Sequence, residues 1–301
     1  MSKEPRGRGV SSAQRRVSEI WPWLPSFRAV AEREHVQQAA RDLRIAGSSL
    51  SRSVRLVEQA LGLKLFFRVG RNLKLTAEGQ ELLAAVRDGM RRIDDGVATL
   101  TGTNFKGALN VACEGEQPLS LVCRAAERLA ERHPELLVTV RALPSAGAQQ
   151  GLLAGALDLV ITRDPRLENR LVASELAVVT YGIYCGPSHP LSRVRRVSTA
   201  ELLRHPFVTP SATDDADNWP AALPRIVGLA LPSLAAAISV CAKGRLLAVL
   251  PDHAAPSELR RLPSEVVPPV RLRLLRRAPL GPVDRTTPLV EALLEEAKRG
   301  P

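Results

Sequence analysis

Between Val36 and Leu61 the chain reads VQQAARDLRIAGSSLSRSVRLVEQAL, two apolar stripes at helical spacing separated by a turn that contains a glycine. Ala39, Ala40 and Leu43 make a narrow stripe on the first segment, where paired alanines let another helix come close. Winding the second segment at about 100° per residue gathers Leu50, Val54, Val57 and Leu61 on one side. Ser48, Arg52, Arg55 and Gln59 fall opposite, with Ser51 at the edge, and Ser48 or Ser49 is the expected N-cap. A short helix is predicted just before, over residues 25–34, opened by Pro25 and marked by Phe27, Val30 and Ala31. Helix, Gly-containing turn and helix form the helix-turn-helix pattern, whose last helix here holds cationic forks and small hydroxyls out to solvent. Those groups suit guanine O6 and N7, phosphate oxygens and close approach to a groove wall.

Charge follows the same division. Residues 1–76 carry 15 Lys and Arg against 6 Asp and Glu, whereas the other 225 residues carry 27 against 25. This asymmetry points to a nucleic-acid-binding module joined to a nearly neutral domain with another task. Beyond Gly62 the period shifts: LKLFFRVGRNLKLT predicts a hairpin turning at Gly70-Arg71-Asn72. Arg68, Arg71 and Lys74 sit on that wing, suited to backbone or minor-groove contact.

The span Phe27 to Gly79 closely resembles the winged helix-turn-helix of LysR-type transcriptional regulators. The resemblance is carried by Ala39-Ala40-x-x-Leu43, Ser51, Val54, the Glu58–Gly62 segment, Leu65-Phe66-x-Arg68 and Leu75-Thr76-x-x-Gly79. It extends through HPELLVTV (133–140), GALDLVIT (155–162), HPLSR (189–193) and LLAVLP (246–251). The sequence departs from the family pattern at Gly47, where a Gln is common, at Val57, where Leu is usual, and at His35, where a Ser often caps the helix. The fold implied is α+β and multidomain. A flexible basic extension (1–22) precedes a winged helix-turn-helix (23–79), a linker and dimerisation helix with a hinge (80–104), and an α/β effector-binding domain (105–301) resembling periplasmic binding proteins. Its subdomain I takes 107–163 plus 267–301, and subdomain II takes 164–266.

The linker shows a pattern of its own. Leu83, Val86, Met90, Ile93, Val97 and Leu100 are spaced 3, 4, 3, 4, 3, a coiled-coil seam, after Thr76 as N-cap with Glu78 in the first turn. The resemblance makes this the helix that pairs two subunits, so that two recognition helices lie one DNA turn apart. Thr101-Gly102-Thr103-Asn104 reads as a hinge.

Beyond Gly107 strands alternate with helices as βαβαβ, which predicts a largely parallel sheet covered on both sides. Ligands in such sheets lie at the C-terminal strand ends. The expected effector cleft is therefore bordered by Glu114, Glu116 and Gln117 after the first strand, by Thr162 and Arg163 after LDLVI, and by Thr209 and Ser211 after FV.

The same residues bear on other functions. There is no Gly-x-Ser-x-Gly elbow, no phosphate-binding Gly motif and no His cluster of metal spacing among five scattered histidines, so an enzyme is not expected. Cys113, Cys123, Cys185 and Cys241 show no metal spacing. No apolar run approaches the roughly 20 residues that span a bilayer, and a cytoplasmic, nucleoid-associated location is expected. The resemblance implies double-stranded DNA, a homodimer or homotetramer, RNA polymerase and an unidentified small-molecule effector as partners, with no cofactor or metal. Two alternatives stand beside the sequence-specific regulator: a non-specific nucleoid-type DNA binder, and a regulator sensing redox state through cysteine thiols.

Overall fold

The helices of the first unit are short, and each buries one stripe against its neighbours. In the computed structural model, which describes residues 12–70, 72–101, 105–115, 118–166, 171–210, 217–278 and 284–299, the chain divides into two units at Thr101. The first holds α1 (Ser12–Ile20), α2 (Leu24–Arg33), α3 (Val36–Leu43), α4 (Gly47–Leu61), the antiparallel pair β1 (Phe66–Val69) and β2 (Asn72–Leu75), and α5 (Ala77–Thr101). Val30, Ala39, Ala40, Leu50 and Val54 form one cluster, with both alanines buried where α3 meets its neighbours. Phe27, Val57, Leu65, Leu83 and Val86 belong to a second, and the Phe27 ring meets Phe66 edge-on at 5.7 Å.

Local signals set most of the boundaries. Thr76 caps α5, its Oγ1 accepting from the Gly79 N–H at 3.0 Å and donating to the Lys64 carbonyl at 2.8 Å. Gly62 ends α4 in the left-handed region at φ 68, where a glycine carries no Cβ penalty. His35 takes over a cap, its Nδ1 accepting from the Gln38 N–H at 3.4 Å. Two expectations are corrected. Neither Ser48 nor Ser49 caps α4, because the helix already begins at Gly47 behind Ala46, which makes no side-chain cap. Within the extension expected to be flexible, Ser12–Ile20 is helical and Ile20 is buried in the core beside Leu24 and Phe27; residues 1–11 lie outside the described residues.

The second unit is built on two five-stranded sheets. Its elements are β3 (Gly107–Cys113), α6 (Leu119–Arg132), β4 (Leu136–Ala142), α7 (Ser145–Leu153), β5 (Leu159–Thr162), β6 (Leu171–Val179), β7 (Tyr181–Cys185), α8 (Thr199–Leu202), β8 (Phe207–Pro210), β9 (Val227–Leu231), α9 (Leu234–Ala242), β10 (Leu247–Pro251), β11 (Arg260–Leu262), β12 (Val270–Arg277) and α10 (Thr287–Arg299). The first sheet has the order β4-β3-β5-β12-β6 and the second β11-β7-β10-β8-β9. Neither is largely parallel: β12 runs antiparallel to β5 and β6, and β7 antiparallel to β10 and β11.

The subdomain boundary expected at 164 is also corrected. β6 pairs along its length with β12 in the first sheet, so the chain passes to the second sheet at Thr180 and returns between Leu262 and Val270. VVTYGIYC reads as a single strand by composition, yet the pairing partner changes in its middle. Tertiary pairing rather than local propensity decides that break.

Candidate nucleic-acid interface and effector cleft

On α4 the buried stripe of Leu50, Val54 and Val57 leaves Ser48, Ser49, Arg52, Arg55 and Gln59 exposed, with Ser51 half-buried at the margin. A groove of about 390 Å³ between α3, α4 and the wing is bordered by Gln37, Ser51, Arg55, Lys64 and Arg68. Sequence reasoning missed Gln37 and Lys64, because neither lies on the polar face of α4 or on the wing. Arg52, Arg55 and Arg68 form no ion pair with the described residues, whereas Arg28, Arg33, Lys64 and Arg87 are each paired with a carboxylate. The carboxylate of Glu58, besides pairing with Lys64, accepts from the Leu65 N–H at 2.9 Å and so fixes the wing against the end of α4.

Lys74 does not stand free as a phosphate contact. It is ion-paired with Glu34, at the left-handed turn after α2, where the Glu34 carbonyl also accepts from the Leu73 N–H at 3.1 Å. The two residues brace the wing against the α2–α3 turn, and the carboxylate offsets much of the charge offered to DNA. Arg71 lies outside the described residues.

The six-residue seam divides along α5. Leu83 and Val86 are 5% and 6% exposed in the unit's own core, and Met90 is half-buried with its sulfur 3.8 Å from Arg28 Nη1. Ile93, Val97 and Leu100 are 47%, 53% and 88% exposed. The expectation of a continuous dimer seam is thus corrected for its first two positions. A 3,4 spacing cannot tell a helix packed on its own domain from one awaiting a partner.

In the second unit the strand ends converge on a cleft of about 500 Å³ lined by Glu114, Arg163, Asp164, Arg166, Asn218 and Arg271, among others. Glu114 Oε2 accepts from the Thr162 hydroxyl at 2.6 Å and from the Arg163 N–H at 3.0 Å. Thr162 is fully buried, so its hydroxyl serves Glu114 rather than a ligand. Thr209 is half-buried, with its hydroxyl 3.2 Å from the Pro210 carbonyl, and is not part of the cleft lining. Glu116, Gln117 and Ser211 lie outside the described residues. Burial pushes the Tyr181 phenol up to about 12; Arg163 opposes that shift electrostatically and Asp217 adds to it.

Cys113, Cys185 and Cys241 are buried and Cys123 is exposed. Burial, with Cys123 nearby, pushes the Cys113 thiol up to about 12, which keeps it protonated and unreactive at neutral pH. Among the described residues no group of three or more His, Cys, Asp or Glu could hold a metal ion, and no helix is long and apolar enough to cross a membrane.

Two family models match this chain. The model for bacterial regulatory helix-turn-helix proteins of the lysR family covers residues 21–80, and the LysR substrate binding domain covers 102–300. CysB of Haemophilus influenzae, an HTH-type transcriptional regulator, is 28% identical over 208 residues, covering 64% of this chain and 63% of its own length. The SDS degradation transcriptional activation protein of a Pseudomonas species is 32% identical over 191 residues, covering 61% and 62%. The matched stretches therefore span a little under two thirds of these curated relatives. A full-length OxyR variant from Pseudomonas aeruginosa shares the fold at a TM-score of 0.70 and 21% identity, over 92% of this chain and 96% of that one.

Proposed function

Because the chain belongs to the LysR family of bacterial regulatory proteins, we propose that it is a transcriptional regulator whose α4 and wing read a half-site in double-stranded DNA. The observation that carries this reading is the polar face of α4, where Arg52 and Arg55 stand exposed without a carboxylate partner opposite a buried apolar stripe. A helix that only covered its own domain would gain nothing by keeping those guanidinium groups unpaired. The second unit supplies the effector cleft, and effector binding changes the geometry of the assembled subunits and their contact with RNA polymerase. No catalytic role, cofactor or metal is part of this proposal.

A DNase footprint on the DNA upstream of its own gene tests it. Protection over an interrupted palindrome is expected at physiological salt; binding at low salt alone, without sequence preference, would identify a non-specific nucleoid-type binder instead. Arg52→Ala is expected to lose about 1–3 kcal/mol of discrimination between specific and random DNA. Arg68→Ala should weaken both alike and lower the salt slope by about one. Lys74→Ala should change that slope less, since Glu34 already offsets its charge. Equal losses on both DNAs for Arg52→Ala would remove it from base reading.

The protein assembles through the exposed end of α5. Val97→Asp is expected to halve the mass found by light scattering and to abolish the footprint, because one charge at an apolar seam leaves an unpaired ion in the interface. An unchanged mass would move the interface off this helix. The thiol-sensing alternative draws less support, since Cys113 is held protonated by burial.

A further inference from the structure

The cleft of the second unit carries a mixture of charges that its location alone does not explain. Glu114 is held through one oxygen: Oε2 takes the Thr162 hydroxyl and the Arg163 N–H, while Oε1 has no hydrogen bond or ion pair among the described residues. Turning the carboxylate away would break both of these bonds at once, so the carboxylate is a fixed feature of the wall. Asp164 adds a second carboxylate. Arg163, Arg166 and Arg271 bring guanidinium groups to the same space, the last in a long, exposed pair with Glu175 at 3.6 Å.

A simple anion entering this cleft meets the anchored Glu114 carboxylate, and like charges repel more strongly as water is displaced. A simple cation meets the arginines. A small molecule with both charges a few bonds apart satisfies both walls, with Glu114 Oε1 placed for an ammonium donor and the Arg166 guanidinium for a carboxylate.

We propose that the cleft binds a small zwitterion of the α-amino acid class, with Glu114 accepting the ammonium group and the exposed Arg166 guanidinium receiving the carboxylate. The inference rests on the regulator reading only in taking the cleft as the effector site.

The test uses the full chain in calorimetry and thermal melting. The probes are the genetically encoded L-amino acids, each beside the acid lacking its amino group and the amine lacking its carboxylate. At least one amino acid is expected to bind, with both truncated analogues at least about tenfold weaker. Glu114→Gln keeps an oxygen for Thr162 and should weaken the amino acid at least about tenfold, as should Arg166→Gln on an exposed side chain that folding does not need. The proposal is overturned if acids without the amino group bind as tightly, if Glu114→Gln leaves affinity unchanged, or if none of the amino acids binds at millimolar concentration. The footprint separates the two readings. Protection retained without amino acid binding overturns the ligand class alone, whereas amino acid binding without any footprint overturns the regulator and leaves the ligand class standing.

Discussion

Gly79→Ala is expected to destabilise the first unit by about 3 kcal/mol or more, a large effect for one methyl group. Gly79 lies in the first turn of α5, where an added Cβ would overlap the Leu65 carbonyl oxygen and stand 2.9 Å from Leu75 Cδ2. Neither side can retreat cheaply. The Leu65 carbonyl accepts from the Thr76 N–H at 3.0 Å, the Leu65 N–H donates to Glu58 at 2.9 Å, and Thr76 ties the Lys64 carbonyl to the Gly79 N–H. Moving α5 outward breaks several of these bonds, each contributing about 1 kcal/mol. Gly147→Ala is the matched control. It sits on α7 with nothing within 4 Å of the added carbon, and should be neutral or stabilising by up to about 1 kcal/mol. Denaturant unfolding followed by DNA binding would check both, since the wing cannot hold its place beside α4 once α5 shifts. A Gly79→Ala variant as stable as its parent would mean that α5 does not press on Leu65.

The same corner shows what the sequence made legible. Polar and apolar faces of α4 could be separated because a single helix fixes the angle between its residues, and the Thr76 cap could be read because it acts three residues away. The Lys74–Glu34 pair could not be read, since it joins residues 40 apart through a turn whose geometry no local pattern encodes. Leu83 and Val86 were assigned to a partner for a related reason: spacing identifies an apolar face but not what covers it. In the second unit, the rule that ligands gather at strand ends located Glu114 and Arg163. It missed Arg166, Asn218 and Arg271, which reach the cleft from loops and from the strand by which the chain returns to the first sheet. The consequence of Glu114 was hidden too, because its meaning depends on which oxygen Thr162 occupies.

Asp217→Ala is expected to cost the second unit about 3–5 kcal/mol, seen as a lowered melting temperature. Asp217 and Arg225 pair at 2.6 Å with side chains only 3% and 9% exposed. The guanidinium is packed against aromatic rings, its carbon 5.2 Å from the Phe207 centroid and 4.8 Å from that of Trp219. Its Nη1 already lacks a hydrogen-bond partner, so removing the carboxylate leaves a desolvated cation with even less compensation. Replacing both partners should behave differently: Asp217→Leu with Arg225→Met exchanges the ions for apolar volume and is expected to fall within about 1 kcal/mol of the parent. The contrast separates an uncompensated charge from lost packing, because the double variant removes more native atoms than the single one yet should melt higher. The effect should also reach the cleft. Asn218 follows Asp217 directly, sits at φ 57, and donates from Nδ2 to the Pro268 carbonyl at 2.7 Å. The buried pair anchors the segment that carries Asn218 to the cleft wall, so the single variant should lose ligand affinity even at temperatures where it remains folded. A single variant that melts with its parent would mean that water reaches Arg225 and that this anchor is not needed.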